Sequence, residues 1–228
     1  VRLPIRRLLL IPTVLPLAIP SYVFTYTWIA LVPEFSGFLA ASFILSITTL
    51  PYVILATLSG LRTVDGSQIE VARSLGLTPV QIFRRVVFPQ IKGHISAGAL
   101  LAALYTISDF GAVSLLNVET LTVTIQNMYR ASYDRSAAAV ISFVLIAFST
   151  IVVLADEQVK QQNPDKGLVK VYSHKNAVIN NAWLRLTVVA TIALFALVAV
   201  VIPFYVLISR FLNNQVEIDW AELFSASI

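Results

Sequence analysis

The sequence contains no cysteine and a single methionine. The first absence removes disulfide frameworks, thiolate metal sites and cysteine nucleophiles. Charge is also scarce: Lys, Arg, Asp and Glu together make up 12% of 228 residues. No G-x-x-x-x-G-K-[ST] phosphate loop occurs, so no nucleotide-hydrolysing site of that kind is encoded. The two histidines, His94 and His174, stand apart in the sequence, and neither has neighbours with metal-ligand spacing. Catalytic residues, metal ligands and cofactors are assigned to none of the chain.

What fills the sequence is apolar: 57% of residues are hydrophobic and the mean hydropathy is +0.82, above the ~45–50% of water-soluble domains. The net charge of +4 does not point to nucleic acid, because the basic residues punctuate apolar runs instead of gathering on one soluble face. A helix needs roughly 20 apolar residues to cross a bilayer. Five stretches meet that requirement, at about Leu8–Leu31, Phe38–Leu61, Ile95–Leu116, Ala137–Ala155 and Leu184–Ser209. The fold class expected is therefore all-α, a polytopic protein with the lipid bilayer as its solvent.

When the loops are assigned alternately to the two sides, all of the 16 Lys and Arg residues except Arg130, Arg135 and Arg210 fall on one side. Basic bias marks the cytoplasmic side, which places the amino end, the 62–93 loop and the 156–183 segment there. Trp28 and Trp183 fall near span ends, where amphipathic rings favour the headgroup layer. The chain opens on Val1 with no signal-peptide pattern and reads as an internal fragment. Residues 156–183 are polar, with Asn163-Pro164-Asp165-Lys166-Gly167 at their centre, and read as a linker. Three parts are thus expected: 1–155, the linker 156–183, and 184–228.

The loop from Arg62 to Gly93 exceeds the ~12–15 residues of an ordinary connection. Ser67-Gln68-Ile69-Glu70 has the S-x-x-E form of a capping box, predicting a helix from Gln68 with Glu70 bonded back to the cap. Gly76 offers the left-handed stop. Thr78-Pro79-Val80-Gln81 opens a second helix, and Pro89 is expected to end it. Ile69, Ala72 and Leu75 form one apolar stripe, and Val80, Phe83, Val86 and Val87 another. Such a hairpin serves either as an interfacial element on lipid headgroups, helped by Arg73, Arg84 and Arg85, or as a docking knob. Glu70 has a purely local role open to it as well, pairing with Arg73 at i+3.

Glu70-Val71-Ala72, Gly76 three residues on, and Val86-Val87-Phe88-Pro89 after nine more resemble the EAA loop of ABC-importer permeases, E-A-A-x3-G-x9-I-x-L-P. Glu70, Ala72, Gly76 and Pro89 match, while Val71, Val86 and Phe88 depart conservatively. The resemblance implies a permease subunit, not itself an enzyme, whose loop is a coupling helix seated in a dimer of ATP-binding subunits. It gives docking roles to Glu70, Ala72, Gly76 and Pro89, with Arg73 and Leu75 beside them. It also implies a periplasmic substrate-binding protein as partner and a bacterial inner-membrane location; no nucleic-acid partner is expected.

Leu15 to Val23, Ser108-Asp109-Phe110-Gly111-Ala112-Val113, Tyr129-Arg130-Ala131 and Asp134 to Ala139 are similar more narrowly to ferric-iron (Fbp-type) permeases. Those commonly fuse two permease halves, so residues 1–155 would be later spans of the first half and 184–228 the start of the second. Related permeases for thiamine, polyamine, sulfate or phosphonate are alternatives, and an ion-coupled secondary carrier is a reading of another class.

Apart from Arg185 at the edge of the last span, Asp109 is the lone Lys, Arg, Asp or Glu inside the expected spans, where a charge costs ~2.5–3.5 kcal/mol on the milder insertion scale. It is a candidate for a cation path, or for a structural hydrogen-bonding role beside a tight approach at Gly111. Pro12, Pro16 and Pro20 in the first span and Pro51 in the second predict bends that free carbonyls. Tyr22 and Tyr26 follow the first bends and are candidates to line the translocation path.

Overall fold

The computed structural model describes residues 11–131, 135–161 and 182–213, and these are helical with no strand among the described residues. The elements in order are α1 (Ile11–Ala18, finishing as a 3-10 turn), α2 (Ser21–Leu31), α3 (Gly37–Thr63), α4 (Gly66–Ser74), α5 (Pro79–Ile82), α6 (Phe88–Ser108), α7 (Gly111–Leu115), α8 (Leu121–Ala131), α9 (Arg135–Gln161), α10 (Ala182–Ala196) and α11 (Ile202–Asn213). α9 continues through residues 156–161, which sequence reading assigned to the linker. The linker from 162 to 181, including His174, lies outside the described residues.

Among the described residues three helices are long and apolar enough to cross a membrane: α3, Ser136–Gln158 within α9, and Leu186–Asn213 across α10 and α11. A fourth arises if α1 and α2, bent by 98° at their junction, count as one span. The bend falls where Pro16 and Pro20 flank Ile19, as expected of residues that withhold backbone donors. α3, by contrast, runs unbroken through Pro51.

The third expected span, Ile95–Leu116, is not one helix. α6 starts at Phe88 and ends at Ser108, Asp109 turns extended at φ −66°, ψ 130°, and α7 begins at Gly111. The reason is local: the Asp109 carboxylate accepts the Ala112 N–H at 2.9 Å, capping a new helical turn and closing the old one. α6 instead extends toward the other end through the polar residues Gln90, Lys92 and His94. It is about 30 Å long by the helical rise.

α3 and α6 lie against each other along their length. A Cβ on Gly98 would stand 2.8 Å from both the Ala56 Cβ and the Val53 Cα, so the backbones approach as small residues allow where lipid tails leave packing to drive association. At the far end, near Asp109, the buried cluster of Phe24, Ala40, Ala41, Ile44, Leu45, Ala112, Val113 and Leu116 joins α2, α3 and α7. Trp28 lies beside it with its ring centroid 5.2 Å from Phe43 and 5.8 Å from Phe35. It is packed into an aromatic group, whereas Trp183 is exposed. Buried threonines return their hydroxyls to their own helices, as Thr48 to Ile44 O and Thr49 to Leu45 O, which removes the cost of an unpaired group in an apolar setting.

Among the described residues two π segments interrupt the helices, Phe83–Val87 before α6 and Leu197–Val201 before α11. Each is followed at the second position by a proline, Pro89 and Pro203. A proline in a regular α-helix collides with the carbonyl four residues back; the wider π turn makes room for it. Pro89 therefore does not end the second loop helix, which continues through the π segment into α6.

Candidate functional site

The loop between α3 and α6 forms a two-helix knob at the end of that helix pair. α4 is capped by Asp65, not Ser67: the Asp65 Oδ1 accepts the Ser67 N–H at 2.9 Å and the Ser67 hydroxyl at 2.7 Å. An aspartate two residues upstream competes for the same amide and takes the serine hydroxyl as a second donor. The expected box from Ser67 to Glu70 does not form. Glu70 is exposed, and among the described residues its carboxylate has neither a capping bond nor an ion pair with Arg73.

The turn that follows is built as expected. Gly76 has φ +77°, its N–H bonds to Arg73 O at 3.0 Å and the Leu77 N–H reaches Ala72 O at 3.2 Å, the paired bonds of a Schellman stop. Thr78 and Gln81 form a reciprocal capping box, with the Thr78 N–H donating to Gln81 Oε1 at 2.9 Å and the Gln81 N–H to Thr78 Oγ1 at 3.4 Å.

Burial sorts the two apolar stripes. Ala72 is buried at 4% exposure and Ile82 joins it, while Leu75, at 75% exposed, lies on the surface with Val71, Val80 and Phe83. Val86 and Val87 are half-buried, and Arg73, Arg84, Arg85 and Pro89 are exposed. Glu70, Arg73 and Leu75 are therefore exposed on α4 and its stop, Ala72 packs beneath, and Gly76 sets the turn at the surface.

Gln90, which sequence reading passed over, ties this knob to its base. Its Oε1 accepts the Asp65 N–H at 3.1 Å, and its Nε2 donates to Gln68 Oε1 at 3.2 Å and to Val86 O at 2.9 Å. The only signal in the sequence was a polar amide directly after a proline expected to break a helix.

About 30 Å away at the other end of α6, Asp109 is 9% exposed. It accepts the Ser21 hydroxyl as well as the Ala112 N–H, and its backbone carbonyl accepts the Thr122 hydroxyl at 2.8 Å. One residue thus gathers the starts of α2, α7 and α8. A Cβ on Gly111 would come 2.8 Å from the Tyr22 Cβ, so α7 and α2 touch closely beside the carboxylate. Tyr22 and Tyr26, one helical turn apart, are 54% and 48% exposed. The structure brings Tyr22 and Asp109 into one corner but turns the carboxylate inward and both tyrosines outward. Among the described residues no group of three His, Cys, Asp or Glu is placed to hold a metal ion.

Paired apolar helices, a bent span beside them and a rigid exposed knob at one end define a polytopic membrane protein with a surface presented at the end of its bundle. Residues 2–162 match the family described as "Binding-protein-dependent transport system inner membrane component", and the chain belongs to that family. It is similar to the Fe(3+)-transport system permease protein FbpB 2 of Haemophilus influenzae, 37% identical over 142 residues, covering 62% of this chain and 28% of the relative. It is also similar to the chloroplastic sulfate permease 2 of Chlamydomonas reinhardtii, 31% identical over 129 residues, covering 54% and 34%. A putative 2-aminoethylphosphonate transport system permease protein, PhnU of Salmonella typhimurium, is 30% identical over 102 residues, covering 43% and 36%. The chain thus spans roughly a third of the length of these relatives.

Proposed function

We propose that the chain is part of the membrane-spanning permease of an ATP-driven importer, that the 62–93 knob docks on an ATP-binding subunit, and that the cargo is ferric iron. The observation that carries docking is the outward set of Glu70, Arg73 and Leu75 on a knob fixed by Gly76 and two capped helices. A carboxylate without a partner among the described residues is available to a cationic group on another chain, and Leu75 with Val71 supplies apolar contact area. ATP hydrolysis then belongs to the separate subunit. Its closure moves the knob, and the α3–α6 pair carries that movement toward the Asp109 corner, where alternating access opens the path.

Tyr22 and Tyr26 would face that path, with Asp109 behind them holding the corner. A substrate-binding protein delivers cargo on the periplasmic face of the inner membrane, and the amino end and knob lie in the cytoplasm. Residues 1–155 are later spans of one permease half, 156–183 the connection, and 184–228 the start of a second half. The iron assignment is supported by the 37% identity to the Fe(3+) permease; sulfate and phosphonate remain the competing cargoes because permeases so named are also similar.

In the complete complex, Glu70→Ala is expected to reduce co-purification of the ATP-binding subunit about tenfold, the ~1.4 kcal/mol of one charge-assisted contact. Undiminished association would sink the docking role. ATP-dependent, binding-protein-dependent uptake of radiolabelled ferric iron into vesicles decides the cargo, with sulfate and phosphonate uptake as the competing results. Uptake abolished by collapsing the ion gradient, with ATP present, would instead favour a secondary carrier.

A further inference from the structure

One side chain spans the whole base of the knob. The Asp65 N–H sits at the entry to α4, where a helix leaves its first donors without internal partners, and Gln90 Oε1 takes it. On the other side of the same amide, Nε2 bonds Gln68 in the first turn of α4 and the carbonyl of Val86 inside the π segment. Gln90 itself stands in the first turn of α6. The covalent route from α4 to α6 runs through the Gly76 turn, the short α5 and the π segment, whose wider turn is the least regular part of the path. The Gln90 amide bypasses that route and joins α4 to α6 directly.

We propose that Gln90 is a positioning residue, a latch that makes α4 and the base of α6 move as one body, so that displacement of the knob reaches the spans instead of being absorbed in Phe83–Val87. The inference rests on the permease reading above. It adds to that reading a residue outside the matched motif positions, and assigns the π segment the role of the compliant element that the latch bypasses. Gln90 lies at the base of the knob, away from outward-facing Glu70 and Leu75, so loss of the latch leaves the docking surface in place and affects what happens after docking.

The test uses the full-length permease with its ATP-binding subunits and ferric-iron-loaded binding protein in vesicles. Gln90→Leu removes both ends of the bridge at similar volume. The expected result is unchanged co-purification of the ATP-binding subunit, continued ATP hydrolysis, and about fivefold or more ATP hydrolysed per ferric ion imported, the lower range of a coupling between sites. Gln90→Glu, which keeps the acceptor for Asp65 and loses the donor, should fall between. An unchanged ratio, or hydrolysis and import falling together in step with the amount of folded protein, would overturn the latch.

Because these 228 residues lack cysteine, a Gln68→Cys/Gln90→Cys pair is the sole thiol pair within them, and any cysteine elsewhere in the full-length permease is first replaced by serine. A short bis-thiol cross-linker should return its ratio to that of the unaltered protein; no recovery counts against the proposal. A second readout needs no transport. Spin labels at Ser74→Cys on α4 and Ala99→Cys on α6 should give a narrow distance distribution in the unaltered background and a broad one with Gln90→Leu. If the unaltered complex imports no ferric iron, the cargo reading fails while the labels still decide the latch: broadening supports it, and equal widths overturn it.

Discussion

The knob at residues 62–93 and the corner at Asp109 sit at opposite ends of the α3–α6 pair and are stabilised in opposite ways. The knob takes its shape from short-range polar contacts, a cap at Asp65, a stop at Gly76 and a box at Thr78, with Gln90 alone reaching across more than 20 positions to its base, and leaves Glu70 and Leu75 exposed. The corner is held by contacts between residues distant in sequence, Ser21 with Asp109 across 88 positions, and buries the carboxylate that makes them. An element that meets a partner needs a shape that survives with one face unpaired, which caps supply. An element that joins three helices in an apolar setting needs its polar groups satisfied inside the chain.

The largest effect is expected where that contrast is sharpest. Asp109→Ala leaves the Ser21 hydroxyl and the Ala112 N–H without their acceptor, and a buried orphan costs about 1–3 kcal/mol, so a loss of about 3 kcal/mol is expected, read as a fall in thermal stability of the purified protein. Asp109→Asn retains an acceptor oxygen and should lose about 1 kcal/mol. Equal losses for both would show that charge, not hydrogen bonding, holds the corner. A wild-type melting temperature for Asp109→Ala would remove the corner's role altogether.

Next comes the turn of the knob. Gly76→Ala places a Cβ on a backbone at φ +77°, and the left-handed region costs an L-residue about 1–2 kcal/mol. No atom within 4 Å would meet that Cβ, so the cost is conformational. Hydrogen exchange at the Gly76 and Leu77 amides should rise, while amides near Asp109 stay protected. Loss of protection at both ends would mean that the two regions are one cooperative unit and that the contrast drawn between them is wrong.

How far the sequence disclosed each region follows from the same difference. Thr78, Gln81, Gly76 and the apolar runs act over a few residues, and their effects could be read in order along the chain. The break at Asp109 looked like the middle of a span because the run from Ile95 to Leu116 is almost wholly apolar; what ends the helix is one carboxylate that caps α7 and reaches Ser21 on α2. Pro89 signalled a stop because a proline's effect on an α-helix is local, whereas the π segment that absorbs it is a change in hydrogen-bond register. Gln90 was missed because two of its three partners, Asp65 and Gln68, lie more than 20 positions away.

The cap of α4 is where local reading erred, and it gives the smallest but most discriminating test. Both Ser67 and Asp65 are residues that favour a helix amino end, and the S-x-x-E spacing selects Ser67. The structure places Asp65 as acceptor and Ser67 as donor. Asp65→Ala should therefore cost about 1 kcal/mol, the typical value of a cap, while Ser67→Ala, which removes a donor to an already bonded carboxylate on an exposed surface, should cost only about 0.5 kcal/mol or less. Reversed costs would restore Ser67 as the cap and bring Glu70 back into a local bond. That outcome would weaken the docking surface directly, because Glu70 is available to a partner only while α4 is capped from Asp65.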